Sequence, residues 1–193
     1  MNNIYFITSN KGKVWEAKQK FSNLNIDIIQ KDLGYPEIQA DSLEEVALFG
    51  ANHVQKIFDK PFILEDAGLF IDSLKGFPGV YSAYVYYKIG LAGILKLLDS
   101  KKNRNATFRS VYAFGKSGRK PLLFIGECKG TISHEEKGTH GFGYDPIFIP
   151  QGESMTFAQM QTNQKNLISH RGDSLNKLID FFKNMKIENI KNL

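Results

Sequence analysis

The sequence predicts an α/β fold, a mixed sheet with flanking helices, and three observations point there. Two strand-then-helix passes fill the first third of the chain, the rhythm of parallel strands joined by crossover helices. Two later apolar runs, 107–114 and 122–128, joined by a turn over 115–119, read as a hairpin and break that rhythm. Between them the run Phe62-Ile63-Leu64 meets Glu65-Asp66-Ala67-Gly68. Acids at the carboxyl end of a strand stand where open α/β sheets collect their ligands.

Composition bounds the possibilities. At 193 residues, 42% of them hydrophobic and 23% charged, the chain is expected to fold as one domain, residues 1–193, with ample core material. The amino terminus has no signal-peptide h-region, and no apolar run nears the ~20 residues of a membrane span, so a cytoplasmic location and no membrane partner are expected. Cys128 is the only cysteine, which excludes an internal disulfide and a cysteine-rich zinc site. The net charge of +5 favours an anionic partner without choosing between nucleotide and nucleic acid.

Taken in order, residues 3–8 read as a first strand. Ser9-Asn10-Lys11-Gly12-Lys13 then turns into a helix carrying Val14, Trp15, Ala17 and Phe21. Lysines beside helix amides attract anions, but this is not a Walker A loop, since Ile7 stands where its first glycine belongs and Val14 where Ser or Thr should follow the lysine. Residues 26–29 fit a second strand, and Pro36 keeps 33–40, with Glu37, irregular. Ser42-Leu43-Glu44-Glu45 matches a capping box at the head of a second helix. The strand 62–64 follows. Neighbouring side chains of a strand face opposite ways, so Glu65 and Asp66 do not aim at one target, and Asp66, nearer the glycine, has the freer direction. A turn closing the strand explains Asp-Ala-Gly equally well, and the residues leave both readings open. Tyr81, Tyr84, Tyr86 and Tyr87 are expected in the core or at a subunit contact. Residues 94–98 suggest a helix. The glycine-rich stretch 138–146 lacks the Rossmann order and reads as a loop passing close to a ligand or turning before the strand 147–149. Ser169 is placed to cap a last helix with His170 and Arg171 at its start.

Five islands, in order and register, resemble the inosine triphosphate pyrophosphatase family. They are Thr8-Ser9-Asn10 with Lys13; residues 35–39; Leu64 to Gly68 with Gly76-Phe77-Pro78-Gly79; Phe142-Gly143-Tyr144-Asp145-Pro146; and Lys165 with Ser169-His170-Arg171. The resemblance spans nearly the whole chain. It implies two lobes around a deep nucleotide-binding cleft, a homodimer, and Mg²⁺-dependent hydrolysis of ITP, dITP and XTP to monophosphate and pyrophosphate, cleansing the nucleotide pool. By the same resemblance Thr8, Ser9, Asn10, Lys11, Gly12 and Lys13 hold phosphates, Glu37 and Asp66 bind the metal, and Asp66 accepts the proton. Phe142, Gly143, Tyr144, Asp145, His170 and Arg171 surround the base, and Ala67 and Lys165 also contact substrate.

The chemistry suits those roles. Mg²⁺ takes oxygen ligands, commonly one or two carboxylates plus substrate phosphate, and lysines neutralise phosphate oxygens. Arg171 offers only donors, which match O6 of hypoxanthine and oppose the amino group of adenine, while Asp145 or a nearby carbonyl takes the N1 proton. Three positions depart from the family pattern: Ser9 for glycine, Ala67 for Ser or Thr, and Ser174 for alanine. Ala67 removes a hydroxyl that would touch phosphate or water. The competing readings are a pyrophosphatase for another modified nucleotide and a basic nucleic-acid-binding module. Glu37, Glu65 and Asp66 would repel a phosphate backbone, so no nucleic-acid partner is expected.

Overall fold

The structure, a computed structural model, describes residues 2–22, 24–36 and 38–184. Seven strands, β1 (Asn2–Ile7), β2 (Ile26–Lys31), β3 (Phe62–Ile71), β4 (Pro78–Gly79), β5 (Asn105–Gly115), β6 (Leu122–Ile132) and β7 (Phe148–Pro150), form one mixed sheet. Its order is β2-β1-β3-β5-β6-β7, with β4 on β3. Among the described residues the helices are α1 (Lys11–Phe21), α2 (Leu43–Ile57), α3 (Ser82–Leu97), α4 (Thr162–Ile168) and α5 (His170–Asn184).

The chain divides into two compact units. The first takes in the chain up to Asp66, Val111–Ile125 and the stretch from Ser174, and the second is Ala67–Ser110 with Gly126–Asp173. In the first, β1 pairs parallel with β2 and with β3, as the two βα passes require. Its core joins Ile4, Phe6 and Ile63 of the strands to Val14, Ala17 and Phe21 of α1 and Leu175, Leu178 and Phe182 of α5. These α1 and α5 residues recur at three to four positions, so each helix buries one stripe. The Ser42 hydroxyl accepts from the Glu45 amide at 3.2 Å and starts α2 where the cap predicts. The buried residues of α2 are Leu43, Ala47, Gly50, Ala51 and Val54, whereas Phe49 and Ile57 are exposed.

In the second unit β3 pairs antiparallel with β4, and β6 with β7. Leu69, Ile71, Leu91, Ile94, Phe108, Ile147, Phe148 and Phe157 pack its core. The expected hairpin is present as the sheet neighbours β5 and β6.

Expectations are corrected at β3 and at α3. The strand of 62–64 does not stop at the carboxylates, and Asp66-Ala67-Gly68 is not a turn: β3 runs ten residues through them. The glycine has another purpose, because a Cβ on Gly68 would lie 2.3 Å from the Gly79 carbonyl oxygen of the crossing β4. A glycine inside a strand here marks close backbone approach. Of the four tyrosines expected in the core or at a subunit contact, only Tyr86 packs against the core, while Tyr81, which precedes α3, and Tyr84 and Tyr87 on it are exposed. The helix expected only from residue 94 starts at Ser82, with a backbone break at Gly90 (φ 62°, ψ −166°).

Candidate active site

The first unit assembles the phosphate-type residues. After β1, the Thr8 hydroxyl accepts from the Asn10 amide at 3.1 Å, and the Gln30 amide donates to the Thr8 carbonyl at 3.0 Å. Asn10 caps α1, its side-chain oxygen accepting from Gly12 N at 2.9 Å and Lys13 N at 3.2 Å. The helix therefore begins inside the expected turn. Three of its four leading amides, those of Asn10, Gly12 and Lys13, are satisfied by the Thr8 and Asn10 side chains, which shifts any anion-binding capacity toward side chains: Lys11 and Ser9 are exposed, and Lys13 is half-buried.

Lys13 reaches back to β3. Its Nζ lies 2.6 Å from Oε2 of Glu65 and donates to the Glu65 carbonyl oxygen at 2.8 Å. Glu65 is 3% exposed. A carboxylate so deeply placed needs a cation beside it. Asp66, one residue on, turns to the other strand face and remains half-buried. There the Tyr35 hydroxyl donates toward its two oxygens at 3.3 and 3.5 Å. The Tyr35 ring lies over Gly50 of α2, where a Cβ would sit 2.8 Å from the ring. Tyr35 was legible only as part of an island. Its reach to Asp66 depends on the bare helix surface at Gly50, which composition does not reveal.

The donor set fits a hard cation. Among the described residues no three His, Cys, Asp or Glu side chains cluster as a metal cage. Asp66 offers oxygen ligands from a half-open position, the arrangement Mg²⁺ accepts because it retains waters and substrate oxygens. Glu37, the other expected metal ligand, lies outside the described residues.

The second unit gathers the residues expected around a base. A 3₁₀ turn over Asp145–Ile147 follows the glycine-rich loop. Asp145, 3% exposed, takes the Phe142 amide at 2.8 Å and the Lys165 ammonium at 2.6 Å on the same oxygen. Gly141 (φ 75°) makes this possible, since a Cβ there would fall 2.0 Å from that oxygen. The Phe142 ring is 42% exposed and flanked by two cations, Lys165 Nζ at 5.2 Å and the Arg171 guanidinium at 5.1 Å. Both cations are at least 95% buried, so the ring is held by residues that cannot wander.

His170 stacks on Phe108 with centroids 4.5 Å apart and planes 12° from parallel. It opens α5, where the Ser169 hydroxyl accepts from Gly172 N at 3.1 Å, the expected cap. Helix α4, absent from the sequence reading, carries Lys165 to Asp145. The Tyr144 hydroxyl is buried and donates to the Ser82 carbonyl at 2.8 Å. Burial and the neighbouring Tyr86 push it well above the ordinary tyrosine range, so it stays a neutral donor. Gly143 (φ 61°) has open space around its α-carbon. Ala67 is half-buried on β3 beside Asp66. A surface hollow in this unit, lined by Asp72, Asn105, Lys129, Thr131, Gln151 and Glu153 among others, contains none of these residues.

Comparison with known proteins agrees in extent. The Ham1 family profile matches residues 4–181. The dITP/XTP pyrophosphatase of Thermococcus kodakarensis is 52% identical over 186 residues, 96% of this chain and 98% of that protein. The dITP/XTP pyrophosphatase of Pyrococcus horikoshii is 52% identical over 180 residues, 93% and 96% of the two chains. Among solved structures, the HAM1 protein from Coxiella burnetii superposes with a TM-score of 0.86 at 30% identity, covering 96% of this chain and all of that one.

Proposed function

The chain belongs to the Ham1 family, and from that premise we propose that it is a nucleoside triphosphate pyrophosphatase. It hydrolyses dITP, ITP and XTP to the nucleoside monophosphate and pyrophosphate. The whole chain serves as one catalytic domain, in the cytoplasm where the nucleotide pool lies, and works as a homodimer. The exposed Tyr81, Tyr84 and Tyr87 supply apolar area for such an association.

The observation that carries the reading is the division of labour at β3. Glu65 is engaged by Lys13, while Asp66 stands half-open on the opposite face with a hydroxyl donor against it. Asp66 is therefore the acid that holds the metal, together with Glu37, and takes the proton of the attacking water. Bound Mg²⁺ would neutralise phosphate oxygens and the charge that builds on leaving pyrophosphate. Lys13, with Thr8, Ser9, Asn10, Lys11 and Gly12, binds phosphate. A positioned carboxylate within reach of water contributes typically 10²–10⁴-fold as a general base.

Phe142 supplies a flat face for the base, Arg171 and His170 donate to O6, and the loop of Gly143 and Tyr144 closes around it. Asp145, whose Oδ2 accepts from Lys165 and Phe142, or backbone carbonyls of that loop take the N1 proton. Ala67 leaves the place of a missing hydroxyl to water.

The test is pyrophosphate release across dITP, XTP, dGTP and ATP with Mg²⁺, for the native chain and for Asp66→Asn. Asp66→Asn is expected to lower kcat by at least about 10³-fold while nucleotide still protects the protein against heat. Turnover within tenfold of native would overturn the assignment.

A further inference from the structure

Lys13 owes its position to Glu65. An ammonium has three N–H donors; Lys13 donates one to the Glu65 carbonyl oxygen (2.8 Å) and stands in an ion pair with Oε2 of the same residue (2.6 Å). The carbonyl is available because β1 runs out beside it: the parallel register pairs Tyr5 with Phe62 and Phe6 with Ile63, and β1 ends at Ile7. The side chain of Glu65 is wholly buried and that of Lys13 is 18% exposed, so the pair is anchored at its acidic end and open at its basic end. Helix α1 fixes the other end of the lysine, with Asn10 capping it three residues earlier.

We infer that Glu65 is a positioning residue for the reaction, a buried two-point tether, one ion pair and one hydrogen bond, that holds the ammonium of Lys13 in place for a phosphate oxygen. The inference rests on the reading of Lys13 as a phosphate contact. It separates the adjacent acids by function. Asp66 serves metal and water, and Glu65 touches neither substrate nor metal but acts through a residue 52 positions away. A lysine without this tether has a flexible four-carbon stem and must be ordered by each substrate that arrives.

The experiment is a cycle of Glu65→Met, Lys13→Met and the double variant, with kcat and KM for dITP measured on protein verified as folded, and Tm measured alongside. Lys13→Met and Glu65→Met are each expected to lower kcat/KM by about 10²-fold, the effect of displacing a positioned group by about 1 Å. The double variant is expected to fall no further. Its Tm should recover toward native from that of Lys13→Met, because Lys13→Met strands the buried Glu65 carboxylate and the double variant removes both charges. Stability returning while activity does not is the signature of a tether. A folded Glu65→Met with kcat/KM within twofold of native, beside a crippled Lys13→Met, overturns the inference and leaves the proposed function standing. Lys13→Met within twofold of native overturns both the tether and the phosphate role of Lys13. Should Glu65→Met not fold, Glu65→Asp takes its place under the same criterion, since it keeps the charge and draws it back by one methylene.

Discussion

Replacing Asp145 by alanine should cost more stability than any other single change in the second unit's candidate site. The carboxylate is 3% exposed, Lys165 is 5% exposed, and one oxygen receives both the ammonium at 2.6 Å and the Phe142 amide at 2.8 Å. Asp145→Ala leaves a buried cation and a backbone donor without that acceptor. Removing one partner of a buried ion pair costs about 3–5 kcal/mol, and the amide contribution overlaps with it rather than adding in full. At about 2–4 °C per kcal/mol for a chain of this size, a loss of about 4 kcal/mol lowers Tm by roughly 8–16 °C. Calorimetry is the suitable assay, because Trp15 is half exposed and lies in the other unit, where its fluorescence would report poorly. The variant Asp145→Leu with Lys165→Met should regain most of the loss, since an apolar pair of similar volume replaces a buried ion pair at little cost. A Tm within about 3 °C of native for Asp145→Ala, equivalent to about 1 kcal/mol, would refute the claim that this pair pins the loop.

Two further outcomes are expected. Arg171→Ala should lower kcat/KM for dITP far more than for ATP, because a buried donor matched to O6 rejects an amino group in its place; paired kinetics on both substrates check this, and an equal fall for both would move Arg171 to the phosphates. Cys128 is 8% exposed, and burial pushes its thiol up to about 11. A raised pKa means less thiolate at any given pH, so alkylation by iodoacetamide at pH 8 should be slower than for an exposed thiol and should keep rising with pH past 9; a rate that levels off near pH 9 would contradict it.

Much of this architecture is written locally. The first βα passes, the cap at Ser42, the hairpin of β5 and β6 and the Ser169 cap all follow from side-chain periodicity and hydrogen bonds reaching two to four residues, which neighbours in sequence suffice to specify. The acids at the heart of the site were legible for the same reason, as charges interrupting an apolar run. What tertiary structure alone decided involves partners far apart. Strand β3 continues through Asp66, Ala67 and Gly68, and the bare Gly68 makes room for the Gly79 carbonyl of its antiparallel neighbour β4; no local signal distinguishes such a glycine from a turn. The exposure of Tyr84 and Tyr87 follows from the face that α3 turns to the core ahead of its break at Gly90, where Ser82 and Val85 are buried. The sequence by itself determined which residues are chemically able to act. The pairings Lys13 with Glu65 and Lys165 with Asp145 decided which of them are held, because a buried charge selects its partner by where the folded chain brings one within about 3 Å, not by its distance along the sequence.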